Sequence, residues 1–186
     1  MRKKIRLVCN LLGRGEVKEG PYTLKMNKLA FQMKDQTPTV VFVDDDPIVL
    51  NQFKTMLSKD YHVLTTTDVF EAFSWMKEYN VSVLFSDLIM PAMNGVDFLH
   101  RMSLDFPNTQ RILLTGNLTT DAMMLAINKA KVFRVLPKPL NASETLRVLQ
   151  DACAMFNQSV EKEKELKRLS KQNEQFEFLL RQQLLS

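Results

Sequence analysis

The chain has 186 residues, 45% of them hydrophobic and 25% charged, which suits one domain with its own core plus extensions. Its net charge of +4 is uneven: residues 1–36 hold nine Lys/Arg against three Asp/Glu, and the remainder sums to −2. That near-neutral body argues against a nucleic-acid binder, and no apolar run reaches the roughly 20 residues that a membrane span needs.

In chain order, residues 1–36 contain Gly13, Gly15, Gly20 and Pro21 without a sustained period, and read as a basic, disordered N-terminal extension. Met1–Leu12 has the basic start and apolar patch of a signal peptide, but Arg6 and Asn10 interrupt it and no small-residue cleavage site follows. Met33 lies just before the regular part and is a candidate start for the chain; a native terminus at Met1 would reject that idea. Residues 37–156 form the expected domain. Thr39–Val43, Val81–Phe85, Arg111–Leu114 and Val132–Leu136, with a weaker run at His62–Thr65, have the short apolar character of strands covered on both faces. Helical stretches lie between them. Asp46-Pro47 places a cap residue before a proline suited to the first helical position. Asp68 with Glu71, and Asn141 with Glu144, have capping-box spacing. Trp75 and the Phe70/Phe73 pair fit a helix facing the core. Five β-α repeats predict an α/β fold, a doubly wound parallel sheet with right-handed crossovers.

Residues 157–186 predict a charged C-terminal helix without a breaker. Leu166, Leu169, Asn173, Phe176 and Leu180 keep a 3-4 spacing, with Asn173 at a would-be core position, so both a coiled coil and a solvated amphipathic helix remain open. A continuous helix from Ala142 to Leu185 would be about 65 Å long at 1.5 Å per residue.

Function in a doubly wound sheet collects at the carboxyl ends of the strands. There the pattern places Asp44, Asp45 and Asp46 after the first strand, Asp87 at the third, Thr115 at the fourth and Lys138 after the fifth. Crowded carboxylates repel, which favours a hard divalent cation, Mg2+ above all, with oxygen ligands. Asp87 could then attack an activated phosphorus to give an aspartyl phosphate, with Lys138 neutralising charge and the Thr115 hydroxyl donating to the transferred group. Asp46 is better read as a helix cap than as a ligand. His62 and His100 lack partners at metal-ligand spacing, and Cys9 and Cys153 form no Cys-x-x-Cys pair, as expected of reduced thiols in a cytosolic protein.

Val40-Val41-Phe42-Val43-Asp44-Asp45-Asp46-Pro47, then Asp87-Leu88-Ile89-Met90-Pro91 with Gly95, then Leu113-Leu114-Thr115-Gly116, then Lys138-Pro139 together resemble the response-regulator receiver family of two-component signalling. The resemblance covers roughly residues 38–156. It implies a flavodoxin-like strand order 2-1-3-4-5, with Asp44 and Asp45 as the acidic pair for Mg2+ and Asp87 as both phosphoacceptor and metal ligand. It also implies that the main-chain carbonyl of Ile89 completes the metal site, that Thr115 and Lys138 contact the phosphoryl group, and that the peptide before Pro139 is cis. A sensor histidine kinase or phosphotransfer protein is the implied donor, and the cytoplasm the implied location. The chain departs from the family at Val135, where an aromatic switch residue is usual, and at Gly116, where alanine is more typical. Ile89 and Asn117 occupy positions that in this family influence how water attacks the acyl phosphate; Ile89 cannot orient a water, which sets the expectation of slow self-dephosphorylation.

Two other functions compete. A phosphorylation-independent docking receiver is disfavoured by the full acidic, threonine and lysine set. A haloacid-dehalogenase-like phosphatase would use Asp44 and Asp46 but leaves Asp87 to Gly95 unexplained. No helix-turn-helix or catalytic motif follows Lys138. Signalling is therefore expected through the terminal helix, by homodimerisation or partner binding; the Met123-Met124 pair could face either core or partner.

Overall fold

A computed structural model describes residues 37–116, 124 and 127–184. The basic extension, Cys9, Asn117, Met123 and Leu185 lie outside the described residues. In order along the chain are β1 (Thr39–Val43), α1 (Pro47–Leu57), β2 (His62–Thr66), α2 (Val69–Glu78), β3 (Val81–Asp87), α3 (Gly95–Asp105) and β4 (Gln110–Thr115). A helix α4 follows, of which 124 and 127–130 are described, then β5 (Arg134–Pro137) and α5 (Ala142–Leu184). The five strands are parallel in the order β2-β1-β3-β4-β5, the predicted doubly wound sheet.

Alternation along β1 divides the core between the two faces. Val41 and Val43 face a layer with Val69, Ala72 and Met76 of α2 and with Val96, Leu99 and Met102 of α3. Val40 and Phe42 face Leu50, Phe53 and Leu57 of α1 and Val148, Leu149 and Ala152 of α5. On that second face Phe42 stacks on Phe53 with ring centroids 3.8 Å apart, and Phe53 meets Phe85 edge-on at 4.8 Å. Every residue of β3 is buried, as befits the central strand, which lies between β1 and β4.

The helix starts follow local chemistry. Asp46 caps α1 through its side chain to the amide of Ile48 at 2.8 Å, with Pro47 at the first helical position. Asp68 caps α2 through Phe70 N–H, but the predicted capping box does not close. Glu71 accepts instead from the Thr66 hydroxyl, at 2.5 Å, and that hydroxyl accepts from Asp68 N–H. Asn141 accepts from Glu144 N–H at 3.1 Å. Phe73 and Trp75 pack on the core, whereas Phe70, on the same helix, is exposed. β5 begins two residues later than predicted, after Lys131 turns the chain with φ 48°.

α5 runs unbroken for 43 residues, and from Glu161 to Gln182 every residue is exposed. Among the described residues no helix is long and apolar enough to cross a membrane.

Candidate functional site

Main-chain bonds carry the strand ladders one step past the strand ends. Asp44 N–H donates to the Thr66 carbonyl, Leu88 N–H to Leu114 and Lys138 N–H to Thr115, at 3.3, 2.9 and 2.8 Å. These bonds set Asp44, Asp87, Thr115 and Lys138 on one rim, because Asp87 pairs with Leu114 and Thr115 with Pro137 in the register.

At the centre the ammonium of Lys138 bridges two buried carboxylates. Its Nζ lies 2.7 Å from Asp44 Oδ2 and 2.5 Å from Asp87 Oδ1. Asp44 is fully buried and Asp87 nearly so. The second oxygen of Asp87 accepts from Ile89 N–H at 2.9 Å, and Asp44 Oδ1 accepts from Asp46 N–H at 3.0 Å. Each carboxylate is thus pinned by an amide two residues downstream and shares one cation with the other.

Burial pushes the Asp44 carboxyl above its ordinary value; Lys138 and the Asp46 amide pull the other way without cancelling it, and the charge of Asp87 adds to the rise. For Lys138, burial lowers the ammonium's value, but the two carboxylates outweigh it and the net shift is upward. A positive group is therefore held charged between two acids.

The main chain beneath Asp87 is equally fixed. Ser86 Oγ donates to the Asp87 carbonyl at 2.9 Å. Gly95, the first residue of α3, lies so close that a Cβ there would overlap that same carbonyl oxygen. Gly95 N–H also donates to the Leu88 carbonyl at 2.9 Å. Only glycine lets α3 start this near the strand end. The Ser86 contact was hidden in an otherwise apolar run, where a small hydroxyl reads as filler.

Among the predicted site residues, Asp44, Asp87 and Lys138 meet directly, and Thr115 is buried beside them through its carbonyl bond to Lys138. Asp45 is exposed next to Asp44, and the Ile89 side chain points to solvent while its amide holds Asp87. Asp46 is committed to capping α1, which removes the acid/base that a phosphatase of the competing type would need. The Lys138-Pro139 peptide is cis.

A divalent cation suits this donor set. Asp44 Oδ2 is buried without an aligned hydrogen bond, despite the nearby ammonium, so it keeps acceptor capacity. Among the described residues no three of His, Cys, Asp and Glu gather as a cage, but Mg2+ needs only one or two carboxylates when waters and main-chain oxygens complete its shell.

Sequence reasoning missed one buried charge. Arg111, at the far end of β4, donates to the carbonyls of Phe106, Thr109, Ala130 and Lys131, and burial holds its guanidinium below its ordinary value. It ties the turns at the ends of α3 and α4 to the sheet.

The family model for the response regulator receiver domain matches residues 40–150. The chain belongs to the response regulator receiver family. The hydrogenase transcriptional regulatory protein HoxA of Cupriavidus necator is 29% identical over 107 residues, 58% of this chain and 22% of that protein. The first curated relatives are matched over only 22–28% of their own length. Among solved structures, the signal receiver domain of an HD domain-containing protein from Pseudomonas fluorescens Pf-5 is 28% identical with a TM-score of 0.64, covering 66% of this chain and 99% of that one. An adenylate cyclase from Rhodopirellula baltica is 32% identical with a TM-score of 0.66, covering 70% and 98%. Family and fold therefore agree with one another.

Proposed function

We propose that this receiver accepts a phosphoryl group on Asp87 in a Mg2+-dependent reaction and signals through its terminal helix. The observation that carries the proposal is the Lys138 ammonium held between the carboxylates of Asp44 and Asp87 at the carboxyl edge of the sheet. A half-buried lysine shared by two acids is poised to follow incoming negative charge.

Asp44, Asp45, Asp87 and the main-chain carbonyl of Ile89 would hold Mg2+, which when bound neutralises charge on the phosphoryl oxygens. The chain's own residues do the rest. An Asp87 oxygen forms the new bond to phosphorus while the donor's bond to phosphorus breaks and its electron pair leaves with the donor. Ile89 N–H fixes the carboxylate so that its approach is not lost to rotation. Lys138 releases Asp87 and pairs with a phosphoryl oxygen, and the Thr115 hydroxyl donates to another. The donor is a sensor histidine kinase or a phosphotransfer protein, and the setting is the cytoplasm. Residues 37–156 act as the receiver, 157–186 as the output helix, and 1–36 as a basic extension. The exposed Ile89 side chain beside the acceptor cannot orient a water, so hydrolysis of the acyl phosphate is slow.

Intact-mass spectrometry after incubation with Mg2+ and acetyl phosphate tests this reading. Wild type should gain one phosphoryl group and Asp87→Ala none. No gain in either chain would favour a phosphate-independent docking role, and a gain in both would move the acceptor to another carboxylate.

A further inference from the structure

α5 uses one seven-residue frame twice. The frame first falls on Thr145, Val148 and Ala152, which are buried in the receiver. It then crosses the exposed Met155, the half-exposed Ser159 and the exposed Lys162, where no continuous apolar seam is possible. Beyond them it falls on Leu166, Leu169, Asn173, Phe176 and Leu180, and all five are exposed. The last tie to the receiver is Glu163, whose carboxylate accepts from the Asn108 side chain. The second apolar run therefore begins three residues after the helix leaves its own domain, with nothing among the described residues covering it.

We infer that this second run is the seam of a parallel, in-register two-stranded coiled coil between two copies of this chain, an inference that rests on reading the terminal helix as the output element. The spacing 3-4-3-4 supplies alternating a and d positions, with Leu166, Asn173 and Leu180 at a and Leu169 and Phe176 at d. Asn173 decides orientation. In a parallel pair, a positions face each other, so the two Asn173 amides satisfy one another. In an antiparallel pair, a faces d, and the amide would be buried against leucine or phenylalanine without a partner. The flanking charges agree with the parallel choice. Residues before a positions face those after the partner's next d, which sets Glu165 near Ser170 and Gln172 near Glu177, so no like charges are opposed. The charged residues Lys167, Arg168, Lys171 and Arg181 lie off the seam, and Lys167 and Arg181 pair within their own helix with Glu163 and Glu177.

The geometry of α5 also leaves both phosphoacceptor sites accessible in such a dimer. α5 starts at Ala142, close after Lys138 on the site rim, and leaves past Asn108 on the opposite rim. Pairing of the tails brings two receivers to the same end of the seam without covering Asp87.

Sedimentation of the full chain over a rising concentration series tests the inference. The wild type should reach twice the monomer mass, and the Leu169→Glu, Phe176→Glu double variant should stay monomeric at every concentration. Because both positions are exposed on the tail, the variant should still gain one phosphoryl group from acetyl phosphate. Loss of that gain from wild type and variant alike would count against the phosphoacceptor reading and not against the seam. A wild type that stays monomeric overturns the inference and leaves the tail to a different partner. A dimer that survives the double substitution overturns it too, by placing the contact elsewhere. Orientation is read from Leu180→Cys in a Cys9→Ser background. Mild oxidation should give a disulfide-linked dimer, since antiparallel strands would hold the two sulfurs about 20 Å apart at 1.5 Å per residue. A dimer that cannot be linked at that position overturns the parallel register.

Discussion

Two glycines of the site motifs carry opposite demands. At Gly95 a Cβ would overlap the Asp87 carbonyl, which is backbone and cannot move aside. At Gly116 a Cβ would meet nothing within 4 Å, and the residue is exposed. Gly95→Ala should therefore cost at least about 2 kcal/mol and impair phosphorylation, since α3 must back away from the strand end that presents Asp87. Gly116→Ala should be neutral or stabilise by about 0.4–1 kcal/mol by restricting the unfolded chain. Urea unfolding of both variants checks the pair; equal costs would refute this assignment of roles. Residues of this kind also show what the sequence could and could not reveal. Asp46-Pro47 is a local cap and was legible as one. Glu71 had the right spacing for a box, but the nearer Thr66 hydroxyl, brought in by β2, competed successfully for it. Arg111 looked like the border of a strand because two of its four carbonyl partners, Ala130 and Lys131, come from a turn distant in sequence.

At the level of elements, strand positions were readable because the inner strands of a doubly covered sheet are largely buried runs, and the edges moved by only a residue or two. A question that the sequence left open concerned Val135, which stands where an aromatic switch residue is usual in the family. In the structure it is half-buried on the face shared with α2 and α3, near the buried Ala130 that ends α4. A small β-branched residue there has no reach to swing behind Thr115, so a switch of the aromatic kind has no side chain to use. α5 carries a different test. Cys153 is buried between the helix and the sheet, and burial pushes its thiol up to about 11. The unfolded thiol ionises near its ordinary value of 9.0, so between these two values the unfolded chain releases a proton that the folded chain retains. Stability must then fall as pH rises through that window, and the loss is complete above it. Tyr61, whose hydroxyl is raised by burial and by Cys153, adds in the same direction. Cys153→Ala should remove the thiol's share, so its stability should decline less steeply than wild type from pH 9 to pH 11 in parallel denaturant titrations. Identical slopes would mean that the thiol is not held protonated by the fold.

For the molecule as a whole, the site is a local cost that a ligand can relieve. Two carboxylates are buried within reach of a single ammonium. The Asp44 carboxyl is raised mainly by its burial, so its ionised form opposes folding at neutral pH, while Lys138, whose ammonium the two carboxylates favour, works in the other direction. Replacing Asp44 by asparagine removes one buried charge while keeping shape, and should stabilise the metal-free chain by about 1 kcal/mol. Mg2+ acts on the same deficit in wild type. A cation that binds only the folded state at about a hundred times its Kd adds roughly 2.7 kcal/mol, which for a domain of this size is a rise of roughly 5–10 °C in melting temperature. Chelation with EDTA should reverse that rise. The two effects must not add, because Asp44→Asn withdraws a ligand at the moment it relieves the repulsion. The variant should start higher than wild type without metal and gain little when Mg2+ is supplied. If wild type is indifferent to saturating Mg2+, or if Asp44→Asn keeps the full increment, then the buried pair is a structural ion pair with Lys138 and the cation is held elsewhere.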